Sequence, residues 1–284
     1  MMRPLAWATL VANMVLVVTG GVVRLTGSGL GCPTWPRCHN DDFTPHGELN
    51  IHSAIEFGNR MLTYVLVIIA VLTVVAAWRT HRPDLRRLSI WILLTIPAQA
   101  VLGGITVLTK LNPWVVSFHL IASMGIVSLA TLLVWRTYAG KPASASGPTV
   151  WLGWATYGSA WLVLYAGTIV TGAGPHAGDI HAKRNGLSIV DVAQLHADLV
   201  CLFIGLTIGL LFLTYALKAP RPARIAVWVL FGIELSQATI GWVQYFTHVP
   251  IVLVGFHMLG AALITAAVTW ALLHVREPVE SRLA

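Results

Sequence analysis

One stretch of this chain occurs twice. Gln99–His119 reads QAVLGGITVLTKLNPWVVSFH and Gln237–His257 reads QATIGWVQYFTHVPIVLVGFH. Each copy opens on Gln-Ala, places a glycine four residues on (Gly103, Gly241) and closes on Phe-His. The interval from glutamine to histidine is identical, so the two align without a gap. A gapless match between apolar segments marks an internal repeat. It limits the fold to arrangements in which two segments occupy equivalent places. The end of each copy runs on into a long apolar helix, so His119 and His257 are expected at matching positions of two related halves.

The rest of the chain says what those halves are made of. Of 284 residues, 56% are hydrophobic and 10% charged, against about 25% charged in an ordinary soluble domain. The apolar residues fall in runs near the ~20 residues that carry a helix across a bilayer. Eight spans are expected, at roughly 5–23, 54–78, 88–108, 114–136, 151–171, 190–217, 224–245 and 250–274. The fold class is therefore all-α integral membrane, with eight transmembrane helices arranged as two parallel four-helix repeats around an axis along the membrane normal.

The halves are 1–139 and 150–284, joined by a small, polar cytoplasmic linker at 140–149. Each half's first long outer loop begins alike, Val23-Arg24-Leu25-Thr26-Gly27-Ser28-Gly29 against Ile169-Val170-Thr171-Gly172-Ala173-Gly174. The formal net charge of +7 is carried in short loops, Arg79, Arg82, Arg86 and Arg87 among them. That is the loop bias of a plasma-membrane protein with both termini in the cytoplasm, and it excludes a nucleic-acid partner in favour of membrane lipid. Met1–Val23 has the length of a true span and is read as retained, not as a cleaved leader. Gly27–Gly31 follows a membrane helix rather than a strand, so it is a helix-ending loop and not a nucleotide-binding run.

Three histidines carry the chemistry. His119, His196 and His257 stand a few residues inside the outer ends of the fourth, sixth and eighth spans, so all three are expected at one depth. Polar residues in a span usually face the bundle interior or a cavity. Zn²⁺ sites gather three or four ligands at close range, whereas two histidines projecting from facing helices suit the two axial positions of haem iron. His196 and His257 make such a pair in the second half. In the first half His119 has no second imidazole opposite it: the second span reads Glu56-Phe57-Gly58-Asn59-Arg60 where the counterpart of His196 would fall. One haem gripped on both faces and one left reachable is the expectation.

Glu56 and Arg60 lie four apart on one helix face. They form either an internal salt bridge or a functional pair, with Glu56 facing the reacting group and Arg60 a propionate. His52, four residues before Glu56 on the same face, is a fallback ligand but is expected in the loop. Cys32 and Cys38 flank Pro-Thr-Trp-Pro-Arg in the first outer loop, where they can oxidise to brace it or to exchange electrons. Cys201 is expected to pack within its helix. Gln99 and Gln237 are expected to bond between helices, with Glu234 joining that network.

Taken together, these residues resemble the haem A synthase family over nearly the whole chain. The likeness rests on Thr26-Gly27-Ser28-Gly29 with Cys32 and Cys38, on Glu56 to Arg60, on Gln99 to Gly104, and on His119, His196 and His257. The resemblance implies an oxidoreductase that converts the C8 methyl of haem O to a formyl group. It implies haem b on His196 and His257, haem O at His119 with Asn59 and Arg60 lining its pocket, Glu56 nearest the chemistry, and a Cys32–Cys38 disulfide. Haem O synthase as supplier and an unidentified electron donor would be partners. The family pattern has histidine where this chain has Asn59, which leaves His119 as the sole protein ligand expected for the substrate. A membrane electron carrier of the quinol-linked cytochrome b type is the alternative; it needs two ligands in each half, and the first half lacks one. A transporter would need helices broken at mid-membrane, and only Pro97 interrupts the runs.

Overall fold

The structure, a computed structural model, describes residues 1–38, 42–44, 51–138 and 147–276. Among them are eight helices and no strand: α1 (Met2–Leu25), α2 (Ile51–Trp78), α3 (Pro83–Leu108), α4 (Pro113–Tyr138), α5 (Pro148–Ala173), α6 (Ile189–Ala216), α7 (Arg221–Phe246) and α8 (Ile251–Val275). Hydrocarbon offers a peptide group no hydrogen-bond partner, so the chain closes its backbone bonds within each helix. Seven of the eight are long and apolar enough to cross a bilayer. The eighth, α5, matches them at 26 residues and carries no charge, but its tryptophans, tyrosines, glycines and threonines dilute its apolarity. The chain is an all-α, multi-pass integral membrane protein.

The helices outrun the apolar spans that predict them. α3 starts at Pro83 rather than 88, and α2 at Ile51 rather than 54. Proline at the first helical position lacks only an N–H that would have no partner there, and its φ is already helical. Pro83 and Pro148 start their helices in this way. Charged residues such as Asp84, Arg86 and Arg87 can then extend a helix into the headgroup zone without leaving water. At α6 the start is a side-chain cap, with the Ser188 hydroxyl accepting from the Asp191 N–H.

Helices α1–α4 close a ring in which each packs on the next and α4 returns to α1; α5–α8 do the same. The rings meet through α4 against α8, with α1 on α8 and α5 on α4. Exchanging α1–α4 for α5–α8 maps this set of contacts onto itself. Small and hydroxyl side chains let the helices approach there. Ser128 Oγ bonds the Tyr157 hydroxyl at 2.9 Å and Thr269 Oγ1 at 2.8 Å, tying α4 to α5 and α8. The Met258 thioether lies on Gly21, where a β-carbon would collide with it. Residues 139–146, most of the linker at 140–149, lie outside the described residues.

At the other end the loops interlock. Arg24, in the last turn of α1, donates to the carbonyls of His176 (2.6 Å) and Thr171 (2.9 Å). The Gly29 N–H donates to Gly178 O at 2.8 Å. Gly27 turns the chain out of α1 at φ +68°, a conformation side chains disfavour, and this allows Ser28 N–H to close on Val23 O at 2.9 Å.

Candidate functional site

His119, His196 and His257 occupy the second turns of α4, α6 and α8, so they share one depth near the loop-bearing end. Each is half-buried and each has a glycine of a neighbouring helix against its ring. A β-carbon built on Gly103 would sit 3.5 Å from His119 Cε1, on Gly241 3.4 Å from His257 Cε1, and on Gly167 3.2 Å from His196 Cε1. The sequence repeat is therefore also a packing repeat: Gly103 serves His119 as Gly241 serves His257.

The hydrogen bonding at His196 fixes its tautomer. Its Nδ1 lies 3.1 Å from Val163 O. A carbonyl only accepts, so Nδ1 carries the proton and Nε2 keeps the lone pair, the arrangement of a metal-ligating imidazole. In His119 and His257 Nδ1 is buried without a partner among the described residues. These features fit haem: an Nε2 lone pair on His196, and a glycine beside each of the three rings that leaves space there. Among the described residues no three His, Cys, Asp or Glu side chains converge on one point.

The first half has asparagine where a second imidazole would stand. Asn59 Oδ1 accepts from Thr19 Oγ1 at 2.7 Å, which commits that side chain to α1. One turn away, Glu56 is 6% exposed. Its Oε2 accepts from the Cys32 N–H at 2.7 Å and its Oε1 from Arg60 at 2.6 Å. Arg60 in turn donates to the carbonyls of Cys32 and Thr34, both at 3.2 Å, and of Arg37 at 3.4 Å. The internal salt bridge between α2 residues 56 and 60 is present, and it does more than neutralise a charge: the pair anchors the first outer loop. Cys32 and Cys38, both fully buried, form the disulfide of that loop. Gly31 lies on the backbone of His52, too close for any side chain, and Ser53 Oγ donates to Gly31 O at 2.6 Å.

Trp35, between the two cysteines, lies on Gly104 of α3, and a β-carbon there would run into the indole. Gly104→Ala is expected to lower the melting midpoint of the purified chain by the ~1–3 kcal/mol of an overpacked contact. Gly20→Ala, whose β-carbon meets nothing within 4 Å, should not lower it. Sequence reasoning missed both Trp35 and the loop-clamping role of Arg60, because neither is visible until the loop is folded onto α2 and α3.

Other residues fall out differently from expectation. His52 lies in the first turn of α2, not in the loop, and its Nδ1 bonds Ser28 Oγ at 2.9 Å. Gln99 bonds across to α4 as expected, donating to Ser123 Oγ at 3.0 Å and His119 O at 3.4 Å. Gln237 instead packs on Gly260. Glu234 accepts from Thr207 of α6 at 2.7 Å rather than joining Gln237. Cys201 is exposed, not packed within the bundle: it lies on the face of α6 away from Phe203 and Thr207, which are buried.

With this geometry in hand, comparison with known proteins places the chain. Residues 3–54 and 46–179, together more than half of it, match the family model described as cytochrome oxidase assembly protein (COX15-CtaA). The chain belongs to this family. Among the family's relatives, the haem A synthase of Geobacillus thermodenitrificans is 34% identical over 155 residues, 52% of this chain and 47% of its own. That of Shewanella oneidensis is 34% identical over 143 residues, 45% of this chain and 43% of its own. These two matches span less than half the length of the relative. A haem A synthase of Staphylococcus epidermidis is 25% identical over 275 residues, 90% of each chain. The family match takes in α1 to α5, the first outer loop, Glu56, Arg60 and His119.

Proposed function

We propose that this member of the cytochrome oxidase assembly family makes haem A for terminal oxidases by oxidising the C8 methyl of haem O to a formyl group. His196 and His257 would hold a haem b between α6 and α8, which when bound supplies one-electron transfer. His119 would bind the iron of the substrate in the half formed by residues 1–139, beside Asn59 and Glu56. Haem O synthase would supply the substrate. The methyl would be hydroxylated twice and the resulting diol would lose water; an external oxidant of the dioxygen class would supply the oxygen, and an electron donor outside the chain the electrons that each hydroxylation consumes. Both termini would face the cytoplasm from the plasma membrane.

The observation that carries this reading is the inequality of the halves. In the second, α6 and α8 each bring an imidazole to one depth; in the first, α4 brings His119, while on α2 the place matching His196 holds Asn59, bonded to Thr19, and His52 is bonded to Ser28. The residues then divide the work. His196 presents Nε2 because Val163 O holds its proton on Nδ1. Glu56 accepts two hydrogen bonds and a carboxylate has about four lone-pair directions, so two remain for a hydroxyl formed on the substrate methyl. Arg60 keeps the disulfide loop over that carboxylate and excludes water from it. Arg60 thus acts on the loop, through the carbonyls of Cys32, Thr34 and Arg37.

The test is co-expression with a source of haem O, extraction, and mass analysis of the pigment. A formyl-bearing haem is expected. Unmodified haem O beside a tightly bound haem b would favour the electron-carrier reading instead. Cys32→Ser is expected to reduce stability by about 2 kcal/mol, the loop-closure value for so short a ring, in a melt of purified protein. It should slow turnover while the haem b spectrum persists, since the disulfide-bearing part of the loop lies on α2 and α3 of the first half.

A further inference from the structure

The opposite end of the molecule carries a second recess, unrelated to the histidines. It lies where the start of α1, the α2–α3 turn and the end of α4 meet, and it is lined by Met1, Met2, Arg3, Pro4, Thr80, Arg82, Leu85 and Thr137, with a volume of about 370 Å³. Its charge is unbalanced. Arg82 holds Asp84 through both oxygens, at 3.2 and 2.7 Å, and Arg136 approaches the same carboxylate at 3.7 Å. Arg3 uses Nε on Thr137 O at 3.3 Å and lies 4.6 Å from the centroid of the Tyr138 ring. Two guanidinium groups therefore share one carboxylate while the third, Arg3, meets no carboxylate in these contacts, and the buried Nε of Arg136 has no partner among the described residues.

The surroundings say which anion this excess suits. Trp7, Trp78 and Tyr138 are 47%, 49% and 58% exposed, and Trp7 Nε1 donates to the Tyr138 hydroxyl at 3.2 Å. Exposed tryptophan and tyrosine at helix ends mark headgroup level. Below them α1 presents Val11 and Val15, also exposed, toward acyl chains. Met2, Pro4 and Leu85 line the recess beside Arg3 and Arg82, so a bound group would meet both arginine and hydrocarbon. We propose that this recess binds the phosphate headgroup of an anionic phospholipid. Basic pockets between membrane helices bind such headgroups by the same combination of charge and depth. The site stands apart from haem chemistry, so it survives or fails independently of the function proposed above.

The full chain in neutral detergent is titrated with phosphatidylglycerol, and the rise in melting midpoint is followed, with phosphatidylcholine and inorganic phosphate as parallel arms. Saturable stabilisation by phosphatidylglycerol alone is expected. Arg3→Gln together with Arg82→Gln should weaken it by roughly fivefold per charge removed. Asp84→Asn, which releases two arginines from their shared carboxylate, should tighten it, and this keeps the test open if the double variant fails to fold. Arg221→Gln, at the same end of the other half, should leave it unchanged. Equal stabilisation by phosphatidylcholine, an inorganic phosphate effect of the same size, or insensitivity to both the double variant and Asp84→Asn would overturn the proposal.

Discussion

His257→Ala is expected to abolish the six-coordinate haem b spectrum of the purified protein. The substitution removes a ring at the second turn of α8 that Gly241 flanks with no side chain of its own. The hole opens beside Gly241, which has no side chain to replace the lost nitrogen. His196, with its proton held on Nδ1 by Val163 O, would remain as a single axial donor. The absorption spectrum of the reduced protein reads this directly, and persistence of the six-coordinate form would remove His257 from the ligand set. The same change at His119 should leave that spectrum in place and weaken substrate binding, because His119 belongs to the other ring of helices.

Glu56→Gln is expected to stop formyl production while leaving haem b bound. Glutamine keeps one oxygen to accept the Cys32 N–H but turns an N–H toward Arg60, so a charge-assisted bond of 2.6 Å is lost. A side chain that handles a proton or hydroxyl in the reaction contributes on the order of 10²–10⁴ in rate, and a fall of at least the lower figure is expected. Glu56→Asp separates the two duties: it keeps the charge but is one methylene short of Cys32. If Glu56→Gln leaves formyl production unchanged, the carboxylate serves only to hold the loop. If Glu56→Asp alone retains activity, the charge matters more than the reach.

The parts of this protein that the residue order announced are those governed by local or periodic physics. Apolar runs become helices wherever lipid denies the backbone a partner, and the eight runs become α1 to α8 with most edges shifted outward by up to five residues. The shift at α3 arises because Pro83 can begin a helix that the charged Asp84, Arg86 and Arg87 then extend. The repeat of Gln99–His119 in Gln237–His257 likewise carries over into space as matched glycine–histidine contacts. His52 was misplaced in a loop because helical order in its first turn comes from tertiary support, the bond to Ser28 and the close seat of Gly31, rather than from apolar periodicity.

What the chain could not announce is how its polar groups are spent. Glu56 and Arg60 at a four-residue interval declare a salt bridge, since helix geometry alone brings them together. That Arg60 also gathers the carbonyls of Cys32, Thr34 and Arg37 depends on a loop folding back over α2. Glu234 was expected beside Gln237 on its own helix and instead meets Thr207 of α6. Sequence alone thus determined the membrane, the helices, the repeat and the depth of the three histidines, because each follows from hydrophobic length and helical rise. Tertiary structure decided the partners, because a buried hydrogen bond forms with whichever group packing brings within reach, and that group is seldom near in the chain.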